Sequence, residues 1–124
     1  MIVFDSVSLL LNGIRVLDSV NFSLNKGEFA CLTGASGAGK SSILKLIHLD
    51  MLPTVGTVTV MDVDTRTIRK SKRPFYRRTI GFIFQDYRLL TEKTAYENVA
   101  FALEVTRTRE KIIRSRALDR KSVV

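Results

Sequence analysis

Two runs near the N-terminus alternate apolar and polar residues with the period of a β-strand. Ile2 to Val7 and Val16 to Leu24 each show this pattern and predict a strand. The dipeptide Asn12-Gly13 lies between them and favours a tight hairpin turn, because both residues tolerate positive φ. The N-terminal quarter therefore predicts an antiparallel β layer.

Three later runs also have the composition of strands. The compact apolar segment Glu28-Phe29-Ala30-Cys31-Leu32-Thr33 predicts a buried parallel strand. Thr57-Val58-Thr59-Val60 is β-branched throughout, and Ile80-Gly81-Phe82-Ile83-Phe84 is again largely apolar. Because helical patterns separate these runs, the chain predicts an α/β fold.

Helical spacing appears in the segments between and after these strands. Ile43, Leu44 and Ile47 share one face of a predicted helix. Thr94 and Glu97 form a capping box that starts another helix. Its apolar stripe consists of Tyr96, Val99, Ala100 and Leu103. The sequence leaves open whether this stripe packs on its own domain or faces a partner. Residues 107–116 predict a charged helix with Ile112 and Ile113 as apolar anchors, and residues 74–78 predict a short helical turn.

Length, cysteine content and hydropathy narrow the class of protein. A chain of 124 residues makes one domain at most. The single Cys31 agrees with a reducing compartment and predicts a packed core thiol. No apolar run approaches the ~20 residues of a membrane span, and the start lacks the features of a signal peptide. We expect a cytoplasmic chain.

The net charge of +8 is concentrated in one stretch. Between Asp64 and Asp86 there is no acidic residue, and the basic ones are Arg66, Arg69, Lys70, Lys72, Arg73, Arg77 and Arg78. One interpretation is a solvated surface arm, which the sequence favours. The other is a patch for nucleic acid or, more in keeping with the pattern, for anionic lipid head groups.

A complete phosphate-binding loop, G-x-x-x-x-G-K-[ST], occupies residues 34–41. Glycines let successive backbone N–H groups turn inward around an anion, and the following helix adds the positive end of its dipole. In this motif Lys40 reaches the β- and γ-phosphates and the Ser41 hydroxyl is a ligand of Mg²⁺. The predicted nucleotide-binding residues are Gly34, Ala35, Ser36, Gly37, Ala38, Gly39, Lys40, Ser41 and Ser42.

The order of motifs resembles the N-terminal half of an ATP-binding-cassette (ABC) ATPase. The phosphate loop is followed by Pro-Thr-x-Gly-x-Val at 53–58 and by Arg-Arg-x-Ile-Gly-x-x-Phe-Gln at 77–85. Within that superfamily, Ile80 to Leu90 and Lys93 to Val105 are similar to the FtsE family of bacterial cell-division ATPases. The resemblance spans Met1 to about Leu118. It implies a P-loop ATPase core with an N-terminal antiparallel β layer, incomplete at the C-terminus.

The resemblance also implies roles for individual residues. Gly34 to Lys40 would wrap the phosphates of ATP, Ser41 would bind Mg²⁺, and Ser42 would lie on the α-phosphate side. Gln85 would contact Mg²⁺ or the attacking water and relay the nucleotide state, so Lys40 and Gln85 are the predicted catalytic residues. Leu11 stands where many relatives have an aromatic residue that stacks on adenine, so the resemblance implies packing on the base without aromatic stacking. The implied partners are a second copy of the intact protein and an FtsX-like integral membrane protein, with the protein peripheral on the cytoplasmic face of the membrane.

The C-terminal end departs from the family pattern. The sequence contains no Leu-Ser-Gly-Gly-type signature, no strand ending in Asp-Glu and no downstream switch histidine. We therefore expect the 124-residue chain not to hydrolyse ATP alone, and ATP turnover by the purified chain would contradict this. Residues 119–124 can be back-translated as a stretch that resembles a common sequencing adapter, so we predict a partial cassette domain over 1–118 and a non-native tail; the alternative is a natural short terminus.

Two alternative functions remain open at this point. An ATP-binding subunit of a lipoprotein-release or macrolide-export transporter would carry the same loop. A basic nucleic-acid-binding module, from a different class, would show salt-sensitive binding to DNA or RNA and no response to ATP.

Overall fold

The structure is a computed structural model that describes residues 1–86, 88–106 and 108–119. The chain divides into two compact units, Met1–Phe82 and Ile83–Val124, and each is described by itself.

The first unit is built on a four-stranded antiparallel sheet with the order β2-β1-β3-β4. Its strands are β1 (Ile2–Leu11), β2 (Ile14–Leu24), β3 (Val55–Val60) and β4 (Val63–Asp64). Asn12 and Gly13 form the β1–β2 turn with φ of 50° and 78°. The predicted antiparallel layer and its hairpin turn are confirmed, although both strands are longer than predicted.

Helix α1 (Lys40–Ile47) covers one face of this sheet and completes the core of the unit. The buried core residues are Phe4, Val7, Leu9, Leu17, Ile43, Leu46, Val58 and Val60. Leu44, predicted to lie on the buried face, is 47% exposed, whereas Leu46 is fully buried. The prediction is therefore confirmed for Ile43, which is buried, and for Ile47, which packs against the core, and it is wrong for Leu44.

Two predicted strands are absent from the part of the chain that the structure describes. Residues 28–33 and 80–84 have no ladder hydrogen bonds, and Phe29 and Ile83 are 92% and 91% exposed. Cys31 is exposed rather than a packed core thiol. Both segments have strand composition, but no neighbouring strand pairs with them among the described residues. An apolar, β-branched segment forms a strand only where a neighbouring strand hydrogen-bonds to its backbone N–H and C=O groups.

A short helix, α2 (Arg73–Arg77), confirms the predicted helical turn and holds the C-terminal end of α1. The Tyr76 hydroxyl donates to the carbonyl of Ile47 at 2.5 Å. Burial raises the pKa of Tyr76 to about 12. One of the orphan carbonyls at the end of α1 is therefore satisfied by a side chain 29 residues away in sequence.

Arg77 reinforces the same junction. Its guanidinium donates to the carbonyls of His48 and Leu49 at 3.2 and 2.7 Å, and pairs with the Asp50 carboxylate at 3.2 Å. A cation at a helix C-terminus also complements the helix dipole. His48 is the C-cap residue of α1.

The second unit contains helices α3 (Ala95–Val105) and α4 (Glu110–Asp119). Ala100 of α3 is 5% exposed, and the stripe residues beside it are half-buried. Because α3 contacts α4 and Ile113 and Ala117 are also buried, the stripe packs within its own unit. Ile112, predicted as an anchor, is 42% exposed. Of the predicted non-native tail, Asp119 ends α4 and the other five residues lie outside the described part of the chain.

The predicted capping box is present at the start of α3. The Thr94 backbone N–H and hydroxyl each donate to the Glu97 carboxylate at 2.8 Å, and the Glu97 N–H donates back to the Thr94 hydroxyl at 3.3 Å. The two hydrogen bonds from Thr94 hold the pKa of Glu97 below its usual value.

The capping box makes the start of α3 sensitive to acid. Because the folded-state pKa of Glu97 is lowered, its contribution to helix stability is present at neutral pH and is lost as the pH falls through that lowered pKa. We expect the Glu97 carboxyl carbon and the Thr94 amide to titrate together in an NMR pH series, below the range of an ordinary glutamate. In Glu97→Gln the Thr94 amide should show no such transition. A Glu97 pKa at or above the ordinary value would contradict the expectation.

Candidate nucleotide-binding site

The backbone of the phosphate loop depends on glycine at three positions. Gly34, Gly37 and Gly39 have φ of 143°, 80° and 86°, a region that other residues rarely adopt. A turn within the loop is closed by the Ala38 N–H, which donates to the carbonyl of Ala35 at 3.2 Å. Residues 34–38 are exposed, so the concave loop faces outward.

Gly39 is the contact between the loop and the sheet. It is buried and forms the N-cap of α1, where its carbonyl accepts from the Ile43 N–H at 3.1 Å. A Cβ at this position would lie 2.7 Å from Leu17 Cδ2 and 3.0 Å from the Val16 carbonyl oxygen. Strand β2 thus supports the loop from behind, a role for Val16 and Leu17 that the sequence pattern does not reveal.

Lys40 directs its ammonium group back into the loop. Its Nζ donates to the carbonyls of Gly34 and Ala35 at 2.7 and 2.6 Å. Because an ammonium has three donors, one remains for an anion in the loop. Ser41 is exposed and Ser42 half-buried in the first turn of α1, which contains no acidic residue. The first turn therefore offers backbone N–H groups and hydroxyls without a competing negative charge.

Gly37 and Gly39, the two glycines on either side of Ala38, allow a matched test of the contact between the loop and β2. Gly39→Ala should lower ATP affinity at least about tenfold and destabilise the chain by about 1–2 kcal/mol more than Gly37→Ala. Both substitutions place an alanine at positive φ, but the Cβ at Gly37 meets nothing within 4 Å, whereas the one at Gly39 meets β2. Urea unfolding and ATP titration of both variants measure the difference. Equal effects would show that β2 does not support the loop.

The other predicted functional residues lie apart from the loop in sequence. Gln85 is exposed in a turn of the second unit, near the cation–π contact between Arg88 and Phe84, in which the guanidinium carbon is 3.7 Å from the ring centroid. Its contact with a metal or water stays a prediction. Leu11, at the predicted adenine position, ends β1 and is 38% exposed. Among the described residues, no group of three His, Cys, Asp or Glu side chains gathers as a metal cluster would require.

A glycine-dependent loop that leads directly into a helix, with a lysine returning to the loop, defines a P-loop nucleotide-binding protein. The family model described as "ABC transporter" matches residues 17–123. The chain therefore belongs to the ABC transporter ATP-binding family.

Among curated proteins, the chain is similar to the cell division ATP-binding protein FtsE of several bacteria. It is 42% identical over 108 residues to the FtsE of Bacillus subtilis strain 168, and this alignment covers 87% of this chain and 47% of the relative. It is 43% identical to that of Escherichia coli K12, which covers 97% of this chain and 56% of the relative. The chain spans about half the length of the curated relatives it matches. These matches confirm the resemblance inferred from the motifs.

Solved structures give the same result for the fold. A dimeric structure of a post-hydrolysis state of the ATP-binding cassette MJ0796, bound to ADP and Pi, has a TM-score of 0.83 and 32% sequence identity. The alignment covers 96% of this chain and 55% of that one. The predicted fold class, an incomplete α/β cassette domain, is confirmed.

Within the described part of the chain, none of the helices combines the length and the apolar character of a membrane span.

Proposed function

We propose that residues 34–42 bind the phosphates of ATP. The observation that carries this proposal is the Lys40 ammonium, which donates to two carbonyls of a loop that has three glycines at positive φ. Lys40 would exchange its two carbonyl contacts for the β- and γ-phosphates, a stronger pairing because both partners are charged. The N–H groups of the loop and the first turn of α1 would surround the remaining phosphate oxygens.

The same proposal assigns a place for Mg²⁺. The exposed Ser41 hydroxyl would be its protein ligand, and Ser42 would lie beside the α-phosphate. Bound there, Mg²⁺ neutralises negative charge on the phosphates. Gln85 would report on the bound nucleotide, because its side-chain amide can both donate and accept a hydrogen bond.

The metal assignment predicts a specific loss in one serine variant. We expect Mg²⁺ to tighten ATP binding to the wild-type chain, and Ser41→Ala to lose most of that enhancement. Ser36→Ala should retain it, because Ser41 is the one residue of this loop that is assigned as a metal ligand. Calorimetric titration of ATP with Mg²⁺ and with EDTA measures both variants. An enhancement that persists in Ser41→Ala would overturn the assignment.

For the whole protein, we propose an FtsE-type ATP-binding subunit for bacterial cell division. The similarity to FtsE over 97% of the chain supports this assignment, and the dimeric MJ0796 cassette supports a homodimer. The subunit would lie on the cytoplasmic face of the plasma membrane and couple ATP binding and hydrolysis to an integral membrane partner of the FtsX type.

The neighbouring gene and its product test this assignment. We expect the adjacent gene to encode a small membrane protein with four predicted helices, and its tagged product to retain the full-length ATPase during purification. A larger permease in that position, copurifying with the ATPase, would instead support a lipoprotein-release or macrolide-export transporter.

A further inference from the structure

An apolar groove lies in the first unit between the β3–β4 edge of the sheet and α2. It has a volume of about 410 Å³. Its apolar walls include Val60, Met61, Val63, Ile68, Phe75 and Tyr76. Three of these side chains reach well into solvent, with Phe75 60%, Met61 46% and Val63 43% exposed. The groove is separate from the phosphate loop, and the nucleotide site makes no use of it.

Two cations lie over the most exposed ring of this surface, and others are close to it in sequence. Lys72 Nζ and Arg78 Cζ lie 5.7 and 5.3 Å from the centroid of the Phe75 ring. Of the seven basic residues between Asp64 and Asp86, the exposed ones are Arg66, Arg69, Lys70, Lys72 and Arg78. The nearest acids in sequence are Asp62, which precedes β4, and Asp64, which ends it, and the cations outnumber them. An exposed aromatic ring thus projects from a surface of strong positive charge.

We propose that this face, residues 60–79, docks on an anionic lipid bilayer. A bilayer presents the two surfaces that the face complements, because Phe75 and the groove can enter the apolar region while the flanking cations remain among anionic head groups. Lys72 and Arg78 suit this arrangement, since each pairs a long apolar stem with a charged end beside the ring.

A nucleic acid fits the same face less well. Binding single strands without sequence preference needs a series of aromatic rings on which successive bases stack. The face has one strongly exposed ring, Phe75, while the Tyr76 hydroxyl is directed inward to the carbonyl of Ile47. The apolar groove beside the ring would also gain nothing from a phosphate backbone.

Vesicle sedimentation with charge-matched variants tests the proposal. The full chain is mixed with vesicles of phosphatidylcholine containing 30% phosphatidylglycerol, or of phosphatidylcholine alone, and no nucleotide is added. Each cation near an anionic surface strengthens binding roughly fivefold, so Lys70→Gln/Lys72→Gln/Arg78→Gln should weaken it about 100-fold. The control Lys26→Gln/Lys45→Gln/Lys111→Gln makes the same change in net charge outside the face and should weaken it much less.

Insertion of the ring can be followed directly, because the chain contains no tryptophan. Phe75→Trp provides a single tryptophan at the proposed contact, which can be excited selectively over the three tyrosines. Phe22→Trp places one on β2, at the opposite edge of the sheet from β4. On adding the anionic vesicles, we expect a blue shift and quenching by brominated lipid for Phe75→Trp only. Circular dichroism of each variant establishes that it is folded as the wild type is.

Four results would overturn the inference. These are absence of vesicle binding by the wild-type chain, equal losses in the two triple variants, equal binding to neutral vesicles, and an unchanged Phe75→Trp spectrum in bound protein. Tighter binding to a single-stranded oligonucleotide than to the anionic vesicles, lost in the first triple variant, would assign the face to nucleic acid instead. Because no nucleotide is present, none of these outcomes bears on ATP binding by the loop.

Discussion

We expect Lys40→Ala to weaken ATP binding about 100-fold, which is roughly two charge-assisted hydrogen bonds of about 1.5 kcal/mol each. The wild-type Lys40 ammonium already lies in the loop, with Nζ 2.7 and 2.6 Å from the carbonyls of Gly34 and Ala35. Its third N–H group is left to donate to a phosphate oxygen. Its removal deletes the one positive side-chain charge assigned to the β- and γ-phosphates. Stability without ATP should fall little, because both carbonyls are at exposed positions where water can replace the ammonium.

Calorimetry and thermal unfolding with and without ATP measure these two effects separately. Lys45→Ala is the matched control, because Lys45 is an exposed lysine on the same helix, beyond the first turn. Lys40→Arg should recover part of the affinity, since it keeps the charge but changes its shape and reach. An affinity of Lys40→Ala within about threefold of the wild type would remove Lys40 from the site, because even one hydrogen bond to a charged group contributes more than this.

The largest loss of stability is expected for Gly56→Ala, with the free energy of unfolding lowered by about 3 kcal/mol or more. Gly56 lies in β3 with φ of 83°, opposite the irregular part of β1 between Asp5 and Ser8. A Cβ there would be 2.2 Å from the Ser6 carbonyl oxygen and 2.5 Å from that of Asp5. These are backbone atoms, so the clash cannot be relieved by rotating a side chain.

Gly13→Ala separates the clash from the strain of positive φ. Gly13 has φ of 78°, close to that of Gly56, but a Cβ there meets nothing within 4 Å. It should therefore cost only about 1 kcal/mol. Urea unfolding of the two variants gives the difference, which we attribute to the contact between β3 and β1. Similar losses in both would show that β1 can move away from β3 at little cost.

The features that the sequence predicts well are those whose partners lie a few residues apart. The Asn12-Gly13 turn and the box of Thr94 and Glu97 each close within a short segment, and both are present in the structure. The positive φ of the glycines in residues 34–39 likewise follows from the motif itself, although the support behind the loop comes from residues distant in sequence. In each case the local chemistry has little choice of conformation.

The predictions that failed depend on neighbours that the pattern does not contain. The apolar composition of residues 28–33 and 80–84 indicates a buried strand, but a strand exists only where another pairs with it. In the described chain the sheet consists of β1 to β4 alone, and Phe29 and Ile83 are almost fully exposed. The sequence pattern likewise does not predict the contact of Gly39 with Val16 and Leu17, because these residues are more than 20 positions apart.

The attachment of α2 to the end of α1 makes the order of folding matter. An isolated helix of eight residues is not stable in water. The conformational entropy lost in forming its first turn exceeds the stabilisation from its few hydrogen bonds. The carbonyls at its end are satisfied by Tyr76 and Arg77. A peptide of residues 34–50 should therefore remain a random coil, and during synthesis the phosphate loop should acquire its shape only after α2 has left the ribosome.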